Sequence, residues 1–151
     1  MPPATPSLTA HLGFWLRFVS NHVSQGFAQK LAGRGVTVAE WVVMRELLDA
    51  EALAPSRLAE RLGMTRGAIT KLADRLIAKA LVSRRADPDD GRAQTLALTA
   101  KARRLVPELA ALADRNDAEY FDHLSARDRV ALIATLKEIV ERRGLKAVPV
   151  D

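Results

Sequence analysis

Thr65, Arg66, Thr70, Lys71 and Arg75 place two hydroxyls and three cations along a single short stretch. Leu62, Ile69, Leu72 and Leu76 interleave with them at helical spacing, so the polar set occupies the exposed side. Guanidinium and hydroxyl groups on one side of a helix suit hydrogen bonding to base edges and phosphates. A little further on, Arg84, Arg85 and Arg92 flank an Asp/Pro/Gly turn, with Asp90 two residues before Arg92. An arginine on a thin hairpin can enter a narrow minor groove, where the potential is most negative. Asp90 is placed to orient that guanidinium through a charge-assisted bond.

The element carrying the first set is the second half of a helical pair. Pro55 suits the first turn of one helix, Gly63 its left-handed end, and Thr65 the cap of the next, which runs to about Ala80. Ala59 allows close approach, and Leu58, Leu62, Ile69, Leu72 and Leu76 supply a shared core. This is a helix-turn-helix, whose second helix enters the major groove. A buried helical hairpin would not need Arg66, Lys71 and Arg75 on its exposed side. The period then shifts towards two. Residues 81–86 and 93–98 flank Asp87-Pro88-Asp89-Asp90-Gly91-Arg92 and predict a β-hairpin, a wing beside the helix pair.

The charge balance agrees. The whole chain of 151 residues carries 23 Lys+Arg and 18 Asp+Glu, a net of +5. Residues 55–104 alone hold 12 Lys+Arg against 5 Asp+Glu, a net of +7, and the remainder is net −2. A basic segment on a nearly neutral body is the footprint of a polyanionic partner, although a solvated helix face is the plainer account of charge alone.

Around this centre the pattern is helical. Leu12, Trp15, Phe18, Val19, Val23 and Phe27 predict an amphipathic helix from Leu8 to about Ala32, broken at Gly33-Arg34-Gly35. Thr37-Val38-Ala39-Glu40 is a capping box opening a second helix to about Ala50. A long helix is predicted from about Ala100 to Phe121, with Pro107 either kinking it or marking its true start. Ser125 to Asp128 resembles a capping box before a last helix ending near Arg143. The order is α-α-α-α-β-β-α-α: mainly α with a small β-hairpin. Residues 1–7, with three prolines, are expected to form a disordered arm.

Much chemistry is excluded. Without cysteine there is no disulfide, thiol nucleophile or Cys-ligated metal. Three histidines without a companion carboxylate argue against a metal site, including one at His11 and His22. No phosphate-binding Gly loop, metalloprotease motif or nucleophile elbow occurs, so no enzyme and no cofactor are expected. No apolar run reaches the ~20 residues of a membrane span, and Met1 to Ser7 lacks the features of a signal peptide. A cytoplasmic location is the expectation.

The chain resembles the MarR (multiple antibiotic resistance regulator) family of winged-helix transcription factors over roughly residues 8–143. The likeness rests on Leu58-Ala59-Glu60-Arg61-Leu62, the run from Ile69 to Leu76, Leu81-Val82-Ser83-Arg84, and above all Asp87 to Arg92 followed by Leu98-Thr99-Ala100-Lys101. Two positions depart from it: Ala80, where the family usually has Gly, and Gly67, where a hydroxyl residue is common. The resemblance implies an obligate homodimer built by the first and last helices, with Arg92 in the minor groove supported by Asp90. Residues 8–36 and 100–151 would then dimerise, and 37–99 would form the winged helix-turn-helix.

In relatives, small aromatic acids and phenolic compounds bind between the dimer helices and the winged domain and weaken DNA binding. Here His11, Trp15, Phe18 and His22 share a helix face, and Trp41, Met44 and Arg45 are expected opposite, with Arg17 or Arg45 to pair a carboxylate. Plain core and dimer packing would use the same aromatics. The expected function is therefore a homodimeric, sequence-specific regulator, a repressor released by a small aromatic or phenolic ligand. Its partners would be a pseudo-palindromic duplex and a second copy, with no membrane. Thr65, Arg66 and Thr70 would read bases, and Lys71, Arg75 and Arg84 would touch phosphates. The alternative is a non-specific architectural DNA-binding protein, whose affinity would be salt-dominated without sequence preference.

Overall fold

The computed structural model describes residues 1–146. The last five positions of the segment 100–151 lie outside the described residues. Six helices and one hairpin follow the expected order: α1 (Leu12–Ala32), α2 (Val38–Leu48), α3 (Pro55–Leu62), α4 (Arg66–Ala78), β1 (Val82–Ala86), β2 (Gln94–Leu98), α5 (Ala100–Phe121) and α6 (Ala126–Arg143). A short 3-10 turn, Leu8–Ala10, precedes α1, and residues 1–7 hold no regular element.

The helix ends sit where capping chemistry puts them. Thr37 and Glu40 form the full reciprocal box on α2. Thr65, Thr99 and Ser125 each accept a backbone N–H three residues on. Gly63 closes α3 at φ +64° in the left-handed region, which glycine enters without steric cost. Pro107 neither starts nor ends α5. Thr99 caps that helix, and Pro107 lies in its interior, where it cannot donate to the carbonyl of Arg103.

The hairpin is antiparallel, with Val82 opposite Leu98 and Ala86 opposite Gln94. Leu53 adds a one-residue third strand, exchanging both backbone hydrogen bonds with Leu96 at 2.9 and 2.8 Å. Patterning does not reveal it, because a single bridged residue has no period.

One core joins the elements. Leu58, Leu62, Ile69, Leu72 and Leu76 of the helical pair are buried with Val43, Met44 and Leu47 of α2, Leu96 and Leu98 of β2, and Ala102, Val106 and Leu109 of α5. The start of α5 therefore belongs to the winged unit. Its later part lies along α1, where Gly26 leaves room for Asn116 and Tyr120. Asn116 donates to Val23 O at 3.0 Å and accepts from Lys30 Nζ at 3.0 Å, and Tyr120 Oη donates to His22 O at 2.9 Å. Lys30 also pairs with Glu119 at 2.8 Å.

Outside this core, α1 and α6 keep wide apolar faces in water. Trp15, Leu16, Phe18 and Val19 on α1, and Val130, Leu132, Ile133, Leu136, Ile139 and Val140 on α6, are all about 40% exposed or more. No helix among the described residues is long and apolar enough to cross a membrane.

Candidate nucleic-acid interface and cavity

Helix α4 buries Ile69, Leu72, Ala73 and Leu76 and turns its remaining face to solvent. Thr65, Arg66, Thr70, Lys71 and Arg75 all lie exposed on it. Arg66, Lys71 and Arg75 make no ion pair with any described residue. An unpaired cation on a rigid helix holds its charge for an incoming anion. The two threonines are engaged locally. Thr65 Oγ1 accepts from Ala68 N at 3.1 Å, and Thr70 Oγ1 donates to Arg66 O at 2.9 Å. Thr65 keeps its hydroxyl proton for a partner, whereas Thr70 must release a backbone carbonyl to donate elsewhere.

The strand pleat sends Arg84 and Arg85 to opposite faces of β1. Arg84 turns towards α4 and pairs with Asp74 at 2.6 Å. That bond ties the wing root to α4, so Arg84 is less free for phosphate than the sequence suggests. Arg85 takes the other face. With Arg57, Glu51 and Asp87 it lines a cavity of about 510 Å³ between the start of α3 and the wing root.

At the wing tip the structure corrects one expectation. Asp90 does not orient the Arg92 guanidinium. Its carboxylate accepts the Arg92 backbone N–H at 3.0 Å. This is an Asx turn, in which a short carboxylate satisfies an amide two residues on. Asp87 does the same for Asp89 N at 2.9 Å. The two carboxylates shape the turn, and the Arg92 side chain stays exposed and unpaired among the described residues.

The aromatic set divides. Trp15, Phe18 and His22 line an apolar cavity of about 530 Å³, with Phe18 stacked on His22 at 5.1 Å. The opposite wall comes from the end of α5, the turn after it and α6: Tyr120, Phe121, His123, Leu124 and Leu132. Trp41, Met44 and Arg45 are not part of it. Met44 is fully buried in the core, Trp41 packs edge-on against Phe27, and Arg45 pairs with Asp49 at 2.9 Å. His11 and Arg17 are exposed and do not line the cavity either. Tyr120 and His123 escaped the sequence reading because the register between α1 and α5 is absent from the periodicity of either helix. Among the described residues no cluster of three metal-ligating side chains exists.

Glu40 is the one buried carboxylate among the described residues. Burial alone would raise its pKa. The Lys79 ammonium and the Thr37 amide and hydroxyl outweigh that and hold it below the usual carboxylate value.

Residues 34–93 match the family model described as MarR family. A protein of Thauera aromatica, named as a transcriptional regulatory protein for the hcr operon, is 27% identical over 134 residues, covering 88% of this chain and 81% of that one. The fold is similar to CouR from Rhodococcus jostii RHA1 bound to p-coumaroyl-CoA, with TM-score 0.78, 26% identity, and coverage of 89% of this chain and 95% of that one. It is also similar to a mutant MarR from E. coli complexed with operator DNA, with TM-score 0.77, 25% identity, and coverage of 85% and 93%.

Proposed function

We propose that the chain is a DNA-binding, winged-helix transcriptional regulator of the MarR family, the family whose model matches residues 34–93, and that it works as a homodimer that represses from a pseudo-palindromic operator and is released by a small aromatic or phenolic ligand. The carrying observation is the joint placement of Arg66, Lys71 and Arg75 on the open face of α4 and of Arg92 at the wing tip, all free of ion pairs among the described residues. The E. coli relative of matching fold is bound to operator DNA, which supports the same use of these elements here.

In this reading Thr65, Arg66 and Thr70 read base edges, Lys71 and Arg75 hold phosphates, and Arg92 enters the minor groove. Arg84 reaches phosphate only by sharing its bond to Asp74. Residues 37–99 are the reading unit. The start of α5 completes that unit. Helix α1, the later part of α5 and α6 form the dimer, and the exposed apolar faces of α1 and α6 support it, because apolar surface of that extent favours association. A two-fold axis would set the recognition helices about one DNA turn apart, ~34–36 Å.

The effector reading rests on the cavity lined by Trp15, Phe18 and His22. CouR holds an aromatic acyl thioester. Among the described residues no guanidinium lines the cavity, so the reading favours a phenolic or uncharged aromatic ligand, bonded through the His22 and His123 imidazoles. Ligand would favour a dimer whose recognition helices are misspaced for the operator.

The test is selection from a random duplex library at near-physiological salt, followed by titration of the selected site. Enrichment of a pseudo-palindrome is expected, and Arg92→Ala should weaken binding tenfold or more with the dimer intact. Retention without enrichment would replace this reading with non-specific, salt-dominated binding. Unchanged affinity in Arg92→Ala would remove the wing from the mechanism.

A further inference from the structure

The C-terminal end of α4 is held by a junction outside the DNA-facing surface. Lys79, the residue that caps α4, extends its half-exposed side chain to the start of α2. Lys79 Nζ donates to Gly35 O at 2.8 Å in the turn between α1 and α2. It also lies 2.9 Å from Oε1 and 2.8 Å from Oε2 of Glu40, at the first turn of α2. Glu40 is 0% exposed, and its Oε2 has no other partner. Without Lys79 this buried carboxylate would keep its bond from Thr37 N but lose its counter-charge.

The same end is pinned from a third side. Lys101 Nζ donates to Lys79 O at 3.2 Å, and Thr99 Oγ1 donates to Ala80 O at 2.8 Å. Ala80 itself holds φ +59°, a strained conformation for alanine that persists only where surrounding bonds impose it. The end of α4 is thus tied at once to the α1–α2 turn, to α2 and to the start of α5.

We infer that Lys79 and Glu40 form a latch that sets the tilt of the recognition helix relative to α1 and α5. Lys79 is a positioning residue: its ammonium is turned towards Glu40 and Gly35 and away from the exposed face of α4. The inference rests on the DNA-binding reading above and adds a component to it. In a dimer the tilt of α4 against α1 and α5 fixes the distance and angle between the two copies of α4. Specific binding depends on that geometry, whereas contact with phosphates at a random sequence depends far less on it.

The experiment measures affinity for the selected duplex and for a scrambled duplex over a range of salt. It uses the full-length wild type, Lys79→Met, Glu40→Gln and the double variant, each checked for folding by circular dichroism. Glu40→Gln keeps the shape and the bond to Thr37, so it remains folded if Lys79→Met does not.

The latch predicts a tenfold or greater loss for the selected duplex in Lys79→Met and a smaller loss in Glu40→Gln. Affinity for the scrambled duplex and the slope of log K against log salt should not change. A slope reduced by about one, with equal losses on both duplexes, would make Lys79 a phosphate contact and overturn the latch. Lowered thermal stability with unchanged discrimination in all variants would reduce the pair to a structural role and overturn it as well. Wild-type protein that shows no sequence preference would instead refute the specific-regulator reading, and the latch with it.

Discussion

Gly26→Ala sets two known effects against each other. Gly26 lies in the interior of α1, where alanine is favoured over glycine by about 1 kcal/mol. Propensity alone therefore predicts a more stable protein. A Cβ at this position would meet Asn116 Oδ1 at 2.9 Å and Tyr120 Oη at 3.0 Å. Side-chain ends can often move aside, but these two are anchored. Asn116 is 3% exposed and bonded to both Val23 O and Lys30 Nζ, and Tyr120 Oη is bonded to His22 O. Moving them would loosen two or three hydrogen bonds at about 1 kcal/mol each. Overpacking adds roughly 1–3 kcal/mol. After the propensity gain, a net loss of about 2–5 kcal/mol is expected. Urea unfolding at fixed protein concentration reads it, because association would couple stability to concentration. Gly67→Ala on α4 is the control, since the nearest atom to its added Cβ is 4.0 Å away. It should be neutral or more stable by up to about 1 kcal/mol. A Gly26→Ala protein as stable as the wild type, or more so, would refute the claim that this joint is rigid.

Ala80→Gly should stabilise the fold by about 0.5–1 kcal/mol, because the left-handed conformation at φ +59° costs alanine about 1–2 kcal/mol and glycine little; a lower midpoint in thermal unfolding would contradict it. Leu136→Glu and Ile133→Glu, each placing a charge on the apolar face of α6, should convert a dimer to monomer in sedimentation, and persistence of the dimer would take α6 out of the interface. Glu40 carries a pH signature. Its folded pKa lies below the unfolded value, so its stabilisation is fully present above about pH 4.5 and is lost as pH falls through the folded pKa. The stability gap between wild type and Glu40→Gln should shrink as pH drops from 5 to 3, and a gap that widens would reverse the sign of the coupling.

The elements were legible where local chemistry marks their ends. Thr37 with Glu40, Pro55 with Gly63, and the caps Thr65 and Ser125 act within one turn of chain, so the sequence alone locates them. The exposed row on α4 followed from the same periodicity. What escaped is long-range. The capping role of Glu40 was evident, but not its second partner Lys79, 39 positions away. Of the four residues expected on one face, Trp15, Phe18 and His22 line the cavity and His11 does not, and the wall opposite them, expected from α2, comes from α5, α6 and the turn between them. The Asp90–Arg92 spacing was noticed, and the backbone amide proved a nearer donor than the guanidinium. The left-handed backbone at Ala80 is not legible from alanine itself, and the only sign of it is that the resembled family has Gly there.

Helix α5 serves two bodies. Ala102, Val106 and Leu109 fill the core around the recognition helix, while Asn116 and Tyr120 clasp α1. Thr99 alone separates β2 from α5. The reading head is therefore not a cassette. Recombination at a flexible linker, the usual way that domains are exchanged, has no seam to use here. On the proposed reading, new targets would come from substitution on the open face of α4 and at the wing tip, residue by residue, while the rest of the head stays fixed by the helix it shares.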